Sequence, residues 1–183
     1  MASRLVAPIG FIVALAALAF VMQTLGNSPS ANKPLTGPEL LKQYEIVEVD
    51  PPTANLTDKN GKRIDLLPLL TRPTIITFWS INCGECDTGL PVLESFAKSQ
   101  AQVAVILIDT KDEPEDAEEK LKSRSITLET FYDFDGATFQ NWEATMPASY
   151  FIRNGKIKYF FPGRISTEHL QALLTLQQTQ GQP

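Results

Sequence analysis

Residues 74–86 read TIITFWSINCGEC, and this stretch decides the fold of the chain. Thr74 to Trp79 form a compact run of β-branched and aromatic residues, which is typical of a buried strand. Both cysteines of the chain, Cys83 and Cys86, follow directly, and apolar residues then recur at helical spacing over residues 84–98. The stretch therefore predicts a strand, a turn that carries two thiols, and a helix.

The sequence on either side predicts further strands and helices. Residues 103–109, VAVILID, are a second buried strand, and ITLETFYDF is a third. The charged segment between them predicts a solvated surface helix, with Asp112 as a possible cap, and TFQNWEA predicts a short helix. Asn60-Gly61 and Asn154-Gly155 predict β-hairpins, and Ser166 caps a last helix. The fold class is therefore α/β, with a central mixed sheet flanked by helices.

The cysteine spacing allows a redox pair, half a metal site or a structural disulfide. A metal site needs more ligands, and the only histidine, His169, is interpreted as a surface residue, although a copper site with a distant histidine is an alternative. A disulfide across two residues constrains the unfolded chain little. Unpaired N–H groups at a helix start favour a thiolate at Cys83, and Cys86 can close a disulfide onto it. We therefore predict a redox pair and no other cofactor.

Met146 and Pro147 directly precede the predicted strand ASYFIR. A proline cannot donate to a ladder hydrogen bond, so Pro147 fits the start of a strand. With the cysteine pair in the same fold, a cis-proline packed against the disulfide is the interpretation that we prefer.

The motifs PTIITFWSINCGEC, VAVILID and TMPASYFIRNGKIKYFFPGRIS resemble the thioredoxin superfamily over about residues 50–176. Within it, the chain is most similar to the membrane-anchored TlpA/ResA/DsbE (CcmG) branch of bacterial thiol-disulfide reductases. The resemblance implies a thioredoxin-like fold, Cys83 as attacking thiol, Cys86 as resolving thiol and Met146–Pro147 as a cis-proline loop. It also implies a membrane thiol reductant as electron donor and an extracytoplasmic client that bears a disulfide, such as apocytochrome c. Trp79 and Pro147 would border the client groove, although Trp79 could equally belong to the core.

The chain departs from this family at positions near the thiols. Asn82 stands where a tryptophan usually precedes the first cysteine, and Glu85 lies inside the pair where many members have proline. Thr77 and Gly89 occupy positions at which relatives carry an acid. The acid–base helper of those relatives is therefore missing from its usual places, and Glu85 is either a proton shuttle for Cys86 or a solvent-facing loop residue.

Acidic residues dominate the local sequence around the thiols. Glu85, Asp87 and Glu94 lie within eleven residues of Cys83, and no cation occurs between Arg72 and Lys98. Because negative charge disfavours a thiolate, this pattern predicts a low potential and a reductase.

The N-terminal part of the chain predicts a membrane anchor. Between Arg4 and Lys33 there is no charged side chain, and residues 5–22 are apolar, glycine or proline. Such a run can cross a bilayer with its N-terminus inside, although a cleaved signal peptide is an alternative. We predict an anchor at 1–26, a linker at 27–45, a thioredoxin-like domain at 46–176 and a polar tail at 177–183, with the domain on the periplasmic side of the bacterial inner membrane.

Charge excludes one class of partner and leaves two other functions to consider. A net charge of −5, with 16 basic and 21 acidic residues and no basic cluster, argues against a nucleic acid partner. A peroxidase would have proline and threonine at fixed spacing before its cysteine, and this pattern is absent before Cys83. The alternative from another class is a non-catalytic binding or scaffold module of a membrane complex.

Overall fold

The structure is a computed structural model and describes residues 35–180. The predicted anchor, residues 1–26, lies outside these residues. Within the described part of the chain, no helix combines the length and the apolar character needed to cross a membrane.

One eight-stranded sheet organises the described residues, in the order β1-β8-β7-β4-β5-β6-β2-β3. A single 3₁₀ turn, Leu67–Leu69, follows β3. The strands are β1 Glu45–Val49, β2 Leu56–Thr57, β3 Arg63–Ile64, β4 Thr74–Trp79, β5 Ala104–Thr110, β6 Glu129–Asp133, β7 Ala148–Arg153 and β8 Lys156–Pro162. The helices are α1 Pro38–Leu41, α2 Cys86–Ser99, α3 Pro114–Ser123, α4 Ala137–Asn141 and α5 Thr167–Gln180.

The centre of the sheet confirms the predicted mixed topology. β4 pairs in parallel with β5, and β5 in parallel with β6, because helices α2 and α3 connect them. β7 pairs antiparallel with β4 and with β8. The carboxyl ends of β4 and β5 therefore meet at one edge, and the cysteines follow β4 at this edge.

The two faces of the sheet are covered differently. Alternate residues of the central strands, such as Trp79 and Leu107, pack under the long helices α2, α3 and α5 together with both cysteines. Their neighbours Phe78 and Ile108 face the other side, where they pack with Trp142 and with residues near β2 and β3. Every residue of β4 is buried, which explains its uninterrupted apolar composition.

The hairpin between β7 and β8 and the cap of the last helix form as the sequence predicts. Asn154 and Gly155 both have positive φ, 54° and 73°, as a type I′ hairpin between β7 and β8 requires. The N–H of His169 donates to Ser166 Oγ at 3.4 Å, and the N–H of Ser166 donates to His169 Nδ1 at 3.1 Å, so Ser166 caps α5. His169 is not a simple surface residue, because its half-buried ring packs against Tyr44 and Phe161.

The sequence does not predict α1 or β1, and it ends the last helix early. Leu41 of α1 is 1% exposed and packs in the main core, so part of the predicted linker 27–45 is folded. β1 pairs with β8 through Glu45 and Tyr159 although most of its side chains are exposed, which removes the usual hydrophobic signal. Helix α5 continues to Gln180, beyond the predicted domain end at residue 176.

Candidate active site

Cys83 and Cys86 form a disulfide at the junction of β4 and α2. Cys83 is 9% exposed and lies in the loop, whereas Cys86 is 3% exposed and is the first residue of α2. The N–H of Cys86 donates to Cys83 Sγ at 3.1 Å. After reduction, this donor at the helix start would stabilise negative charge on Cys83, so Cys83 is the thiol suited to attack.

The Met146–Pro147 peptide bond is cis, which confirms the predicted conformation. Pro147 lies beside the disulfide, since Pro147 and Cys86 line the same small cavity of about 10 Å³. The carbonyl of Pro147 accepts a hydrogen bond from the N–H of Gly163 at 2.8 Å, which fixes this loop to the end of β8. Met146 is half-buried and packs against the core cluster that contains both cysteines.

The backbone of Met146 has free hydrogen-bonding groups. Within residues 35–180, neither its N–H nor its carbonyl makes a hydrogen bond. An extended polypeptide that reached Cys83 could pair with these groups in the manner of an added strand.

Trp79 lies in the core and does not border an open groove, which is the second of the two alternatives that the sequence left open. Its side chain is 0% exposed and lies in the core cluster with both cysteines. The reason is its position at the end of the central strand β4, which the apolar face of α2 covers. Trp79 therefore belongs to the apolar packing around the disulfide.

Glu85 and Asn82 flank the two cysteines at the surface. Glu85 is exposed, yet it lines the cavity behind Cys86 together with Pro147 and Arg164. Asn82 is exposed and lines a groove of about 440 Å³ against α3. Trp79, Glu85 and Pro147 thus line the cavity beside Cys86, whereas Met146 packs against the wider core cluster and Asn82 faces a separate groove.

The two positions at which relatives carry an acid have neutral substitutes. The Thr77 hydroxyl and the Ser149 hydroxyl hydrogen-bond at 2.8 Å, and both residues are buried on the wall of the cavity. Gly89 is covered by the stem of Arg164, whose Cγ would lie 3.2 Å from a Cβ at this position. A carboxylate at either position would meet a packed neighbour.

The acids around the thiols are less available than the local sequence indicates. Asp87 pairs with Lys120 at 2.9 Å and with Arg124 at 2.8 Å, both from α3, and the hydrogen bond from Lys120 is the main cause that lowers its pKa. Burial acts to raise the pKa of Glu94, but hydrogen bonds from Lys98 and Thr127 lower it. The prediction of an unbalanced negative environment is therefore wrong for these two residues, because their cations lie farther along the chain.

Sequence reasoning missed a buried acid near the site. Asp109 in β5 is 0% exposed, and burial, followed by the charge of Asp112, raises its pKa to about 8. Asp112 accepts a hydrogen bond from the N–H of Ile81, two residues before Cys83, and so does not act as a helix cap. The sequence does show an aspartate at the end of an apolar run, but this pattern is equally typical of a polar residue that ends a strand.

No cluster of three or more potential metal ligands occurs among residues 35–180.

The sequence model of the AhpC/TSA family matches residues 47–160 of the chain. The chain belongs to this family. The match covers the central strands, both cysteines and Pro147, which are the parts that build the site.

Two curated relatives of the chain have names that describe thiol redox proteins. Thiol-disulfide oxidoreductase YkuV of Bacillus subtilis (strain 168) is 28% identical over 100 residues, which are 50% of this chain and 68% of the relative. Thioredoxin Y2, chloroplastic, of Arabidopsis thaliana is 30% identical over 90 residues, 48% of this chain and 52% of that protein. The chain thus spans about half the length of the second relative.

Solved structures agree on the fold of this AhpC/TSA member. A Chlorobium tepidum structure described as thiol:disulfide interchange protein DsbE has a TM-score of 0.64 at 20% identity, and the match covers 73% of this chain and 97% of that one. StoA from Bacillus subtilis has a TM-score of 0.55 at 21% identity over 66% of this chain and 97% of that one. The fold, the cysteine pair and the relatives together identify the chain as a thiol-disulfide oxidoreductase of the thioredoxin superfamily.

Proposed function

We propose that the protein is a membrane-tethered reductase that transfers electrons to disulfides of extracytoplasmic client proteins. The apolar N-terminal run supports the tether, and the resemblance to the TlpA/ResA/DsbE branch supports a site of action in the bacterial periplasm. Apocytochrome c that awaits haem is a candidate client, and a membrane thiol reductant is the proposed donor.

One observation carries this proposal: the disulfide lies beside a cis-proline loop in which the backbone of Met146 makes no hydrogen bond within residues 35–180. Cys83 is the more exposed of the two cysteines, at 9% against 3%, and the N–H and carbonyl of Met146 can bind an extended chain next to it. Such pairing uses the client backbone and places few demands on its side chains. The arrangement therefore suits exchange with polypeptide disulfides.

The reaction follows from the two sulfurs. The Cys83 thiolate attacks one sulfur of the client disulfide, a mixed disulfide forms, and the other client sulfur leaves as a thiolate that takes a proton. Cys86, deprotonated, then attacks Cys83 Sγ and releases the second client thiolate. The client gains two electrons, the Cys83–Cys86 disulfide forms, and the membrane donor must return two electrons before the next cycle.

The direction of electron flow now rests on burial. Both sulfurs belong to an apolar cluster that includes Trp79, Leu90 and Leu93, and Cys86 is the more deeply buried. Burial among apolar groups disfavours a thiolate, which makes the dithiol less stable relative to the disulfide and lowers the potential. The charges of Asp87 and Glu94 are paired with cations and so contribute little to this effect.

Reduction of insulin by the full-length protein tests this function. We expect activity that Cys83→Ser abolishes, and a matched Ser80→Ala variant in the same loop should keep it. A non-catalytic scaffold would give no activity in either protein. Expression of Cys86→Ser in the native host should trap the client as a mixed disulfide on Cys83. If no exported protein is found in such a mixed disulfide, the proposed client class is contradicted.

A further inference from the structure

A buried carboxyl group lies directly beneath the active-site loop. Asp109 is fully buried in β5, and its Cα pairs with that of Trp79 in β4, four residues before Cys83. On the other side its Cα pairs with that of Tyr132 in β6. Asp109 thus occupies the sheet edge from which the cysteine loop departs.

Two hydrogen bonds connect Asp109 to this loop. Asp109 Oδ1 accepts the N–H of Asp112 at 3.3 Å, and Asp112 Oδ2 accepts the N–H of Ile81 at 2.6 Å. The only other hydrogen bond that the described structure gives to the loop between β4 and Cys83 joins the N–H of Cys83 to the carbonyl of Ser80, at 3.2 Å. Asp112, in the connection between β5 and α3, therefore provides the hydrogen bond that ties this loop to the neighbouring strand connection.

The surroundings of Asp109 favour its neutral form. Within residues 35–180 no cation forms an ion pair with it, and both Asp109 Oδ2 and Trp79 Nε1 are buried without a hydrogen-bond partner. The ionisable groups that face it are Asp112 and, from β6, Tyr132, whose hydroxyl donates to Glu118 of α3 at 3.0 Å. Burial first and the charge of Asp112 second raise the pKa of Asp109 to about 8, although the hydrogen bond from the N–H of Asp112 acts in the opposite direction.

We propose that Asp109 and Asp112 are positioning residues that hold the backbone in front of Cys83, and that this arrangement requires Asp109 in its neutral form. An ionised Asp109 would repel the carboxylate of Asp112 and so weaken its hold on the N–H of Ile81. The backbone before Cys83 would then be less well held, which would lower the reactivity of Cys83. The inference rests on the proposed role of Cys83 as the attacking thiol.

The first test follows tryptophan fluorescence of the oxidised full-length protein between pH 6 and pH 10. The cysteines do not titrate in this form, so a step near pH 8 reports a different group beside a tryptophan. We expect the step in the wild type and in Asp116→Asn, an exposed acid of α3, and its loss in Asp109→Asn. Absence of the step from the wild type overturns the proposal. If Asp109→Asn does not fold, ¹³C NMR of the aspartate carboxyl groups in the wild type decides, because the proposal fails if no aspartate titrates above pH 7.

The second test measures how fast iodoacetamide alkylates Cys83 in Cys86→Ser, which leaves one thiol. We expect the rate to rise with thiolate formation and then to fall above about pH 8, where Asp109 ionises. Asp109→Asn should remove this alkaline loss, Asp112→Ala should lower the rate throughout, and Asp116→Asn should change neither. Identical profiles in all variants overturn the proposal. Neither test needs a client. A protein that does not reduce insulin but still shows the alkaline fall in alkylation rate would contradict the proposed function and support this inference.

Discussion

Cys83 and Cys86 differ in exposure and in hydrogen bonding, and this difference predicts an order of reactivity. Cys83 is the more exposed residue, and its sulfur accepts the N–H of Cys86. We expect limiting iodoacetamide to alkylate Cys83 before Cys86 in the reduced protein, as mass spectrometry of the peptides can measure. Equal labelling, or faster labelling of Cys86, would contradict the assignment of the attacking thiol.

Asp87 illustrates how a charge can be misread when only its neighbours in sequence are considered. Lys120 and Arg124 hold its carboxylate, so its pKa is lowered and its stabilising effect is present above its unfolded value of 3.8. We expect Asp87→Asn to lower the free energy of unfolding by about 0.5–1 kcal/mol at pH 7, since the pair is partly exposed. The effect should disappear as the pH falls through the folded pKa, below 3.8.

Chemical denaturation of Asp87→Asn at pH 7 and pH 3 measures this change. Asp116→Asn is the control, because it removes the same charge from the other side of the contact region without an ion pair. Equal effects of the two variants at pH 7 would show that the pair contributes nothing.

At the scale of elements, the backbone at the start of α2 has a conformation that would accept proline at position 85. Glu85 has φ −70°, within the range of proline, and its N–H makes no hydrogen bond in the described structure. We expect Glu85→Pro to fold with unchanged stability or a gain of up to about 1 kcal/mol, because proline restricts the unfolded chain. Thermal unfolding of the oxidised proteins measures this.

Gly89→Pro is the matched control for that substitution. The N–H of Gly89 donates to the carbonyl of Glu85 at 3.1 Å, and the stem of Arg164 lies against this position. We expect a loss of about 3 kcal/mol or more. If Glu85→Pro is as damaging as Gly89→Pro, the described start of α2 is incorrect.

Glu94 ties α2 to the segment before β6. Its buried carboxylate accepts the N–H and the hydroxyl of Thr127, each at 2.7 Å, and pairs with Lys98. We expect Glu94→Ala to cost about 1–2 kcal/mol in the free energy of unfolding, and Glu94→Gln to cost less because it keeps an acceptor for the N–H. Urea denaturation compares them, and an equal cost for both would mean that packing, rather than these hydrogen bonds, dominates.

The sequence predicts those elements whose signals are local. Thr74–Trp79 is uniformly apolar, Asn154-Gly155 fits one turn type, and the two cysteines lie three residues apart, so each is predictable without knowledge of the fold. β1 escapes prediction because an edge strand with exposed side chains needs only backbone pairing with β8. The sequence leaves Trp79 undecided between the client groove and the core, because its burial depends on which strand becomes central.

The parts of the site that the sequence does not predict depend on distant contacts. The hold of Asp112 on Ile81 joins residues 31 apart, and the pairing of Asp87 with Lys120 joins residues 33 apart. No periodicity or motif marks either contact, because each arises only when β5 and α3 pack beside the cysteine loop.

At the scale of the whole molecule, Asp109 predicts how stability depends on pH. Its folded pKa of about 8 exceeds the unfolded value of 3.8, so the folded state keeps a proton that the unfolded state releases between these values. The free energy of unfolding should therefore fall as the pH rises through this window, by up to about 1.4 kcal/mol per pH unit from this group. Asp109→Asn should gain stability relative to the wild type up to pH 8 and then hold that gain.

Guanidinium unfolding at pH 6, 7, 8 and 9 measures this difference. Asp116→Asn serves as control, since an exposed carboxyl should give a curve parallel to that of the wild type. A parallel curve for Asp109→Asn as well would mean that Asp109 is ionised in the folded protein at neutral pH.

The equilibrium of the full-length protein with glutathione tests the central claim most directly. Thiol labelling at defined ratios of reduced to oxidised glutathione gives the potential of the Cys83–Cys86 couple. We predict a single two-electron transition nearer to the potential of thioredoxin, about −270 mV, than to that of a strong oxidant, about −120 mV, because the sulfurs lie in an apolar cluster. A potential near −120 mV, or a disulfide that does not exchange at all, would contradict a reductase.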